Sequence, residues 1–448
     1  MPFHFGIAVL TAMPILHLRL RLEASDGATA WGVSASGLPP LWFDKDPART
    51  HSDNVRDLLA SVYGAGHAYE GAGAATAFDL HRALEPEVRA ACASSGLNEL
   101  TSGLGIALFD SAIVDGLCRL TGATLHQALK ADLLGAGPEL ARLVPAAPLP
   151  RIRVRHTVGM ADPIRVADAS SPLDDGLPEA LEDVVRDYGV RIFKVKVARD
   201  VEASVARLRR IAEVIDSLAD CELTLDGNEQ FHDMGEFHSF VERVAGERTL
   251  TAFWRRTLWI EQPVARGVAL KSAVAAELRK IDRIKPVIID ESDGADDALD
   301  RALELGYRGV SAKNCKGIFR TLHSYRRIAD WNERAAVPAI LLSEDLTNLG
   351  IVPLHQDLCV AAALGITHSE RNGHHYFPGL DHCPPREREQ ALADYPSLYR
   401  RHPNGLVALH VREGTLDLRE LNGSGYGVVS EPAWEAMEFL SPGQLPSS

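Results

Sequence analysis

The chain has 448 residues, 46% of them apolar and 24% charged, with a formal net charge of −14. That is material for two or three domains, or for one large barrel with an accessory domain. The acidic balance, without any run of lysine or arginine, argues against nucleic acid and anionic membrane as partners.

The opening "FGIAVLTAMPIL" is too short to span a bilayer, lacks a basic flank and contains Pro14, so it reads as a first strand of a cytoplasmic protein. "ILHLRLRLEAS" then alternates apolar with polar residues, and "DGATAWGVSAS" follows a turn signal, which predicts an antiparallel hairpin. Asp53 to Tyr63 and Asn98 to Leu129 carry Ala and Leu at helical spacing. Residues 1–150 are therefore expected to form an α+β domain. Cys92, Cys118, Cys221, Cys315, Cys359 and Cys383 are scattered without a CxxC pair, as free thiols of a reduced compartment would be.

After "AAPLPRIRVRH" the rhythm changes. "RIRVRHTVGM", "RIFKVKV", "ELTLDGN", "LWIEQPV", "PVIID", "RGVSAKN", "PAILLSE" and "AALGITH" alternate with amphipathic stretches such as "VEASVARLRRIAEVIDSL" and "ALDRALELG". Eight strands with helical crossovers predict a (β/α)8 barrel over residues 151–377. No GxGxxG or P-loop follows a strand, which disfavours a doubly wound sheet. Residues 378–448 read as a strand-containing segment that returns to the N-terminal domain.

Catalytic groups of such barrels sit at the C-terminal strand ends, with alternate side chains pointing inward. On the second strand Phe193, Val195 and Val197 take the helix side, leaving Lys194 and Lys196 inward. The next three strands end in Asp226 with Asn228, Glu261 and Asp290, and the sixth ends in Lys313. Alternation turns Glu291 away. Three carboxylates on adjacent strands make a hard-oxygen site that favours Mg²⁺, with Mn²⁺ as the other fit. Lys196 and Lys313 are expected on opposite sides of that ion, each with a pKa lowered by neighbouring positive charge so that it works as a base.

The ordered set "KVK", "LDGN", "IEQP", "DES" and "AKN" resembles the enolase superfamily in its muconate-lactonizing branch. The resemblance implies Asp226, Glu261 and Asp290 as metal ligands and Lys196 and Lys313 as the acid/base pair. It implies Lys194 along the substrate carboxylate, Asn228 beside the metal shell, and an N-terminal domain that caps the barrel mouth, with "FHFG" as a candidate capping loop. The reaction implied is removal of the α-proton of a small carboxylic acid, by a racemase or epimerase that assembles as a homo-oligomer. A cycloisomerase, a syn-eliminating lyase and a non-catalytic metabolite binder remain open.

The eighth strand ends in "THSERNGHHYFPGL", which offers His368, Glu370, Arg371, His374 and His375 to the substrate pocket, Arg371 as a partner for a second anion. "LLSEDLTN" adds Glu344, Asp345 and Asn348. The family's dipeptide epimerases carry an Asp-x-Asp at the eighth strand where this chain has "THSERNG", which argues against a dipeptide. Lys313 stands where the mandelate-racemase branch uses a histidine of a His-Asp dyad. A barrel metallohydrolase would need HxH on the first strand, and "RVRHTVG" supplies only His156.

Overall fold

The computed structural model describes residues 1–169, 172–173, 175–423 and 425–440. The N-terminal region starts with two three-residue strands, β1 (Phe3–Phe5) and β2 (Ala8–Leu10), turned at Gly6 with φ 52°. The long predicted first strand is thus a tight hairpin, and the next strand begins only at Ile15. β3 (Ile15–Glu23) and β4 (Thr29–Gly37) form the expected antiparallel pair, and three long helices, His51–Glu70, Ala77–Ser94 and Glu99–Thr121, pack on it. Glu99–Thr121 is long and apolar enough to cross a membrane, but most of its apolar stretch is buried inside the fold.

This helix approaches β4 very closely. A Cβ at Gly32 would lie 1.9 Å from the carbonyl oxygen of Ala112 and 2.7 Å from the amide nitrogen of Gly116, and backbone atoms cannot swing aside. Gly32→Ala should therefore destabilise the protein by ~1–3 kcal/mol. An unchanged melting midpoint would show that hairpin and helix separate at little cost.

The barrel strands are β5 (Arg151–Val158), β6 (Ile192–Lys196), β7 (Glu222–Asp226), β8 (Thr257–Glu261), β9 (Val287–Ile288), β10 (Gly309–Ala312), β11 (Ile340–Ser343) and β12 (His368–Arg371). They pair in parallel in the ring order β10-β11-β12-β5-β6-β7-β8-β9, and a bridge between Ile289 and Val310 closes the circle. Helices Val201–Ile215 and Ala298–Leu305 fall on the predicted amphipathic stretches. Phe193, Val195 and Val197 join the large apolar core between strands and helices. Trp259, Ile288 and Leu342 plug the lower end of the barrel.

The last strand departs from expectation. Ala362 and Ala363 still belong to the helix Val352–Ala363, Gly365 turns the chain with φ 72°, and pairing begins at His368. Glu370 and Arg371 therefore lie within the strand rather than in a loop after it.

Beyond Pro378 the chain forms the hairpin of β13 (Tyr399–Arg401) and β14 (Val407–Leu409). β15 (Thr415–Asp417) then adds antiparallel to β5. Further on, Val428 packs with Val33 and Ala35 of the N-terminal region.

Candidate active site

Strand register sets the site. Lys196 is level with Asp226, and Asp226 with Glu261, so three charged groups share one height on three neighbouring strands. Since a strand alternates its faces, the same register turns Lys194, Lys196, Asp226 and Glu261 inward. Asp290, Lys313, Glu344 and Glu370 complete the ring from β9 to β12, and all eight are buried.

Lys194 lies at the centre. Its Nζ is 2.9 Å from Glu261 and Glu344 and 3.0 Å from Glu370 and Asp226. Lys196 Nζ donates to Asp226 Oδ2 at 2.6 Å. Across the ring Lys313 Nζ is 2.9 Å from Asp290 Oδ2 and 3.1 Å from Glu344 Oε2. Four further side chains hold the carboxylates from behind. Arg155 pairs with Glu344 Oε1, Thr157 donates to Glu370 Oε1 at 2.5 Å, and Lys316 lies 3.0 Å from Asp290 Oδ1, to which Ser311 also donates.

Burial alone would pull the lysine pKa values down, but the carboxylates win. Asp226, Glu261, Glu344 and Glu370 hold Lys194 well above the ordinary value, and Asp290 and Glu344 do the same for Lys313. For Lys313 the direction is upward rather than the expected downward one, because carboxylates rather than ammonium groups are its nearest neighbours. Glu261 is also pushed upward, by burial and by the crowding of Asp226 and Glu344.

The residues fit a hard cation. Glu261 Oε2 and Asp290 Oδ2 are buried without a hydrogen-bond donor. Each has an ammonium 2.9 Å away but off any hydrogen-bond axis, so a lone pair stays available.

The N-terminal region closes the mouth. The Phe3 ring centre lies 5.8 Å from Lys196 Nζ, and that of Trp42 lies 5.2 Å from Lys313 Nζ, one aromatic face on each lysine. Phe3 belongs to the "FHFG" stretch, while no local pattern marked Trp42. Lys45 reaches from the same segment as Trp42 to Glu229 at 2.6 Å and Glu291 at 3.2 Å. Arg266 donates to the carbonyl oxygens of Trp42 and Phe43, both at 2.7 Å. Lys196 and Lys313 keep only 6% and 4% of their surface exposed.

The remaining predicted residues are placed elsewhere or tied up. Asn228 donates to Glu291 Oε1 at 3.1 Å, with its amide on Asp226 Oδ1 and its Oδ1 unpartnered. Arg371 pairs with Asp357 and takes Ser369 Oγ at 2.8 Å, so its charge is spent inside the protein. Asn348 is joined to Asp345 through its amide and to Asp357 through its side chain. His368 stacks on Trp259 in the barrel floor, two residues before Glu370 on the same strand, and burial pushes its pKa down to about 3. His374 and His375 pack with His156 outside the ring.

Sequence reasoning missed Arg155 and Thr157, and it offered Glu344 and Glu370 only as pocket candidates without a place in this ring. Inward alternation on "RIRVRH" would have exposed Arg155, since a charged residue inside a barrel requires a partner.

A parallel eight-stranded ring, capped at its mouth and carrying lysines and carboxylates at its C-terminal strand ends, defines a capped (β/α)8 barrel. Residues 176–431, more than half of the chain, match the family described as enolase C-terminal domain-like. The chain belongs to that family, within the mandelate racemase/muconate lactonizing branch of the enolase superfamily. No curated protein matches it in sequence.

Three solved structures share the fold. A mandelate racemase/muconate lactonizing enzyme from Bordetella bronchiseptica RB50 is 17% identical over 97% of this chain and 99% of its own, with TM-score 0.57. An N-succinyl Arg/Lys racemase from Bacillus cereus is 15% identical over 94% and 92%, with TM-score 0.56. A dipeptide epimerase from Enterococcus faecalis V583, complexed with Mg and L-Leu-L-Tyr, is 14% identical over 83% and 86%, with TM-score 0.55. At such identities the likeness is one of fold.

Proposed function

We propose that the protein is a Mg²⁺-dependent racemase or epimerase that removes and returns the α-proton of a small carboxylic acid. The observation that carries the reading is the placement of Lys196 on β6 and Lys313 on β10, on opposite walls of one carboxylate-lined site. Asp226, Glu261 and Asp290 are the carboxylates that the family resemblance assigns to the cation. When bound, the cation supplies several kcal/mol of stabilisation for negative charge building on the substrate carboxylate.

The chain's own groups do the rest. Lys196 takes the proton from one face of the α-carbon, and Lys313 delivers one to the other, which inverts the centre. Lys194, with its ammonium fixed by four carboxylates, binds the substrate carboxylate and orients it. Phe3 and Trp42 cover the lysines and keep bulk water from the reacting centre.

Incubating the Mg²⁺-loaded protein in D₂O with a panel of N-acylamino acids, sugar acids and unsaturated diacids tests the reading. For the true substrate class, deuterium should enter the α-position and both enantiomers should accumulate, and EDTA should stop both. Tightly bound zinc, with ligand binding indifferent to Mg²⁺, would overturn the proposal.

A further inference from the structure

Glu261 and Asp290 both present a carboxylate oxygen that lacks a donor, yet only Glu261 is held in place by the sheet. β9 ends at Ile288, level with Glu261, so Asp290 lies two residues beyond the last strand pair on that side. Ile260 N donates to Pro286 O at 2.9 Å, and Gln262 N to Ile288 O at 3.0 Å. The rung that follows in a parallel ladder would run from Asp290 N to the backbone carbonyl of Gln262.

The backbone does not make that rung. Gln262 has φ 32°, in the left-handed region that a non-glycine residue enters at a cost. Its carbonyl turns toward the loop after β7, where Glu229 N donates to it at 2.8 Å, and Phe231 N donates to Pro263 O at 3.0 Å. Just past Glu261 the chain thus leaves β9 and follows the β7 loop.

The side chain of Gln262 fills the gap. Its Oε1 accepts from Asp290 N at 2.9 Å and Ser292 N at 3.1 Å, and its Nε2 donates to Ser292 Oγ at 2.7 Å and Val264 O at 2.8 Å. Two amide donors at one end and two oxygens at the other leave the amide a single orientation. From the opposite side, Lys316 Nζ donates to the Asp290 carbonyl at 2.9 Å, and Ser311 Oγ to Oδ1 at 2.5 Å. Held at N, O and Oδ1, Asp290 has Oδ2 left to offer.

We infer that Gln262 is the positioning residue of the cation site. Its backbone continues from Glu261 and its side chain sets Asp290, so one residue fixes the separation of these two carboxylates. The inference rests on the Mg²⁺-dependent reading above, in which both are ligands, and deepens it. Gln262 acts through Asp290 rather than on the cation itself.

Mn²⁺ titration followed by electron paramagnetic resonance tests this without an activity assay. Wild type should bind one Mn²⁺. Gln262→Met keeps the side-chain length and removes all four hydrogen bonds, and at a temperature where it is folded it should weaken Mn²⁺ binding at least ~10-fold. Gly32→Ala, at the contact between β4 and its helix, supplies the control for a purely structural effect: it should lower the melting midpoint without moving the Mn²⁺ affinity. Wild-type affinity in folded Gln262→Met, or an equal loss in Gly32→Ala, would overturn the inference and leave the functional reading standing. Failure of wild type to bind any Mn²⁺ would overturn both. Should Gln262→Met not fold, Gln262→Asn takes its place: it keeps an amide that is one methylene too short to span the gap, and it carries the same expected loss and the same overturning result.

Discussion

Lys313→Ala should end inversion of any α-chiral acid that the protein racemises, while sparing α-proton exchange in one of its two enantiomers. The geometry separates the two walls. Lys196 is joined to Asp226 on β7, whereas Lys313 reaches Asp290 and Glu344 from β10. A planar intermediate between them loses access to one face when one lysine goes, but the other face keeps its base.

General acid–base catalysis contributes ~10²–10⁴-fold, and inversion needs both groups, so racemisation should fall by at least ~10³-fold in Lys313→Ala and in Lys196→Ala. Exchange should survive within ~10-fold for opposite enantiomers in the two variants. Proton NMR in D₂O, run separately on each enantiomer, reads both outcomes. Racemisation at the wild-type rate in either variant would remove that lysine from the mechanism. Exchange lost for both enantiomers in both variants would instead point to a shared structural role, which Lys313→Met, closer in volume, would test.

Much of this site is legible in the sequence because its information is local. Lys194 and Lys196 announce themselves as charges in a run of Ile, Phe and Val, and the two-residue period decides which wall they face. Asp226, Glu261 and Asp290 each close a recognisable apolar strand. Glu344 follows "ILLS", in which leucines occupy both faces, so the alternation that singles out Lys194 has no contrast there. Glu370 was misplaced for a different reason. The apolar "AALGI" imitates a strand, whereas its alanines finish a helix and Gly365 supplies the turn.

The contribution of the cap was the least readable. Phe3, Trp42 and Lys45 meet residues 193, 271 and 246 positions later in the chain, and no periodicity encodes how one region docks on another. Arg371 shows the opposite failure. An arginine at a strand end near a pocket suggests an anion site, but Asp357, on a helix, consumes its charge. Sequence proximity locates a charge without saying what already neutralises it.

Lys194→Met should make the fold dependent on a divalent cation. Lys194 is fully buried, and among the described residues its ammonium is the one group that touches Asp226, Glu261, Glu344 and Glu370 together. Methionine keeps the length and apolar stem but leaves four carboxylates converging on a dry site. Breaking a buried pair costs ~3–5 kcal/mol because the remaining charge is stranded. In EDTA the variant should therefore melt several degrees below wild type.

Mg²⁺ should restore part of the loss, since a ligand that binds only the native state stabilises it by mass action. The shift on adding Mg²⁺ should be larger in the variant than in wild type, because no ammonium competes for the carboxylates. The pH dependence has a definite sign. Removing the ammonium raises the folded-state pKa of its carboxylate partners above their unfolded values, so the folded state binds protons more tightly and stability falls as pH rises through those raised values. The deficit in EDTA should thus grow from acidic to alkaline pH and shrink when Mg²⁺ takes the place of the proton. Equal melting of variant and wild type in EDTA would mean that the carboxylates tolerate one another without Lys194. The central role given to that lysine would then have to be abandoned.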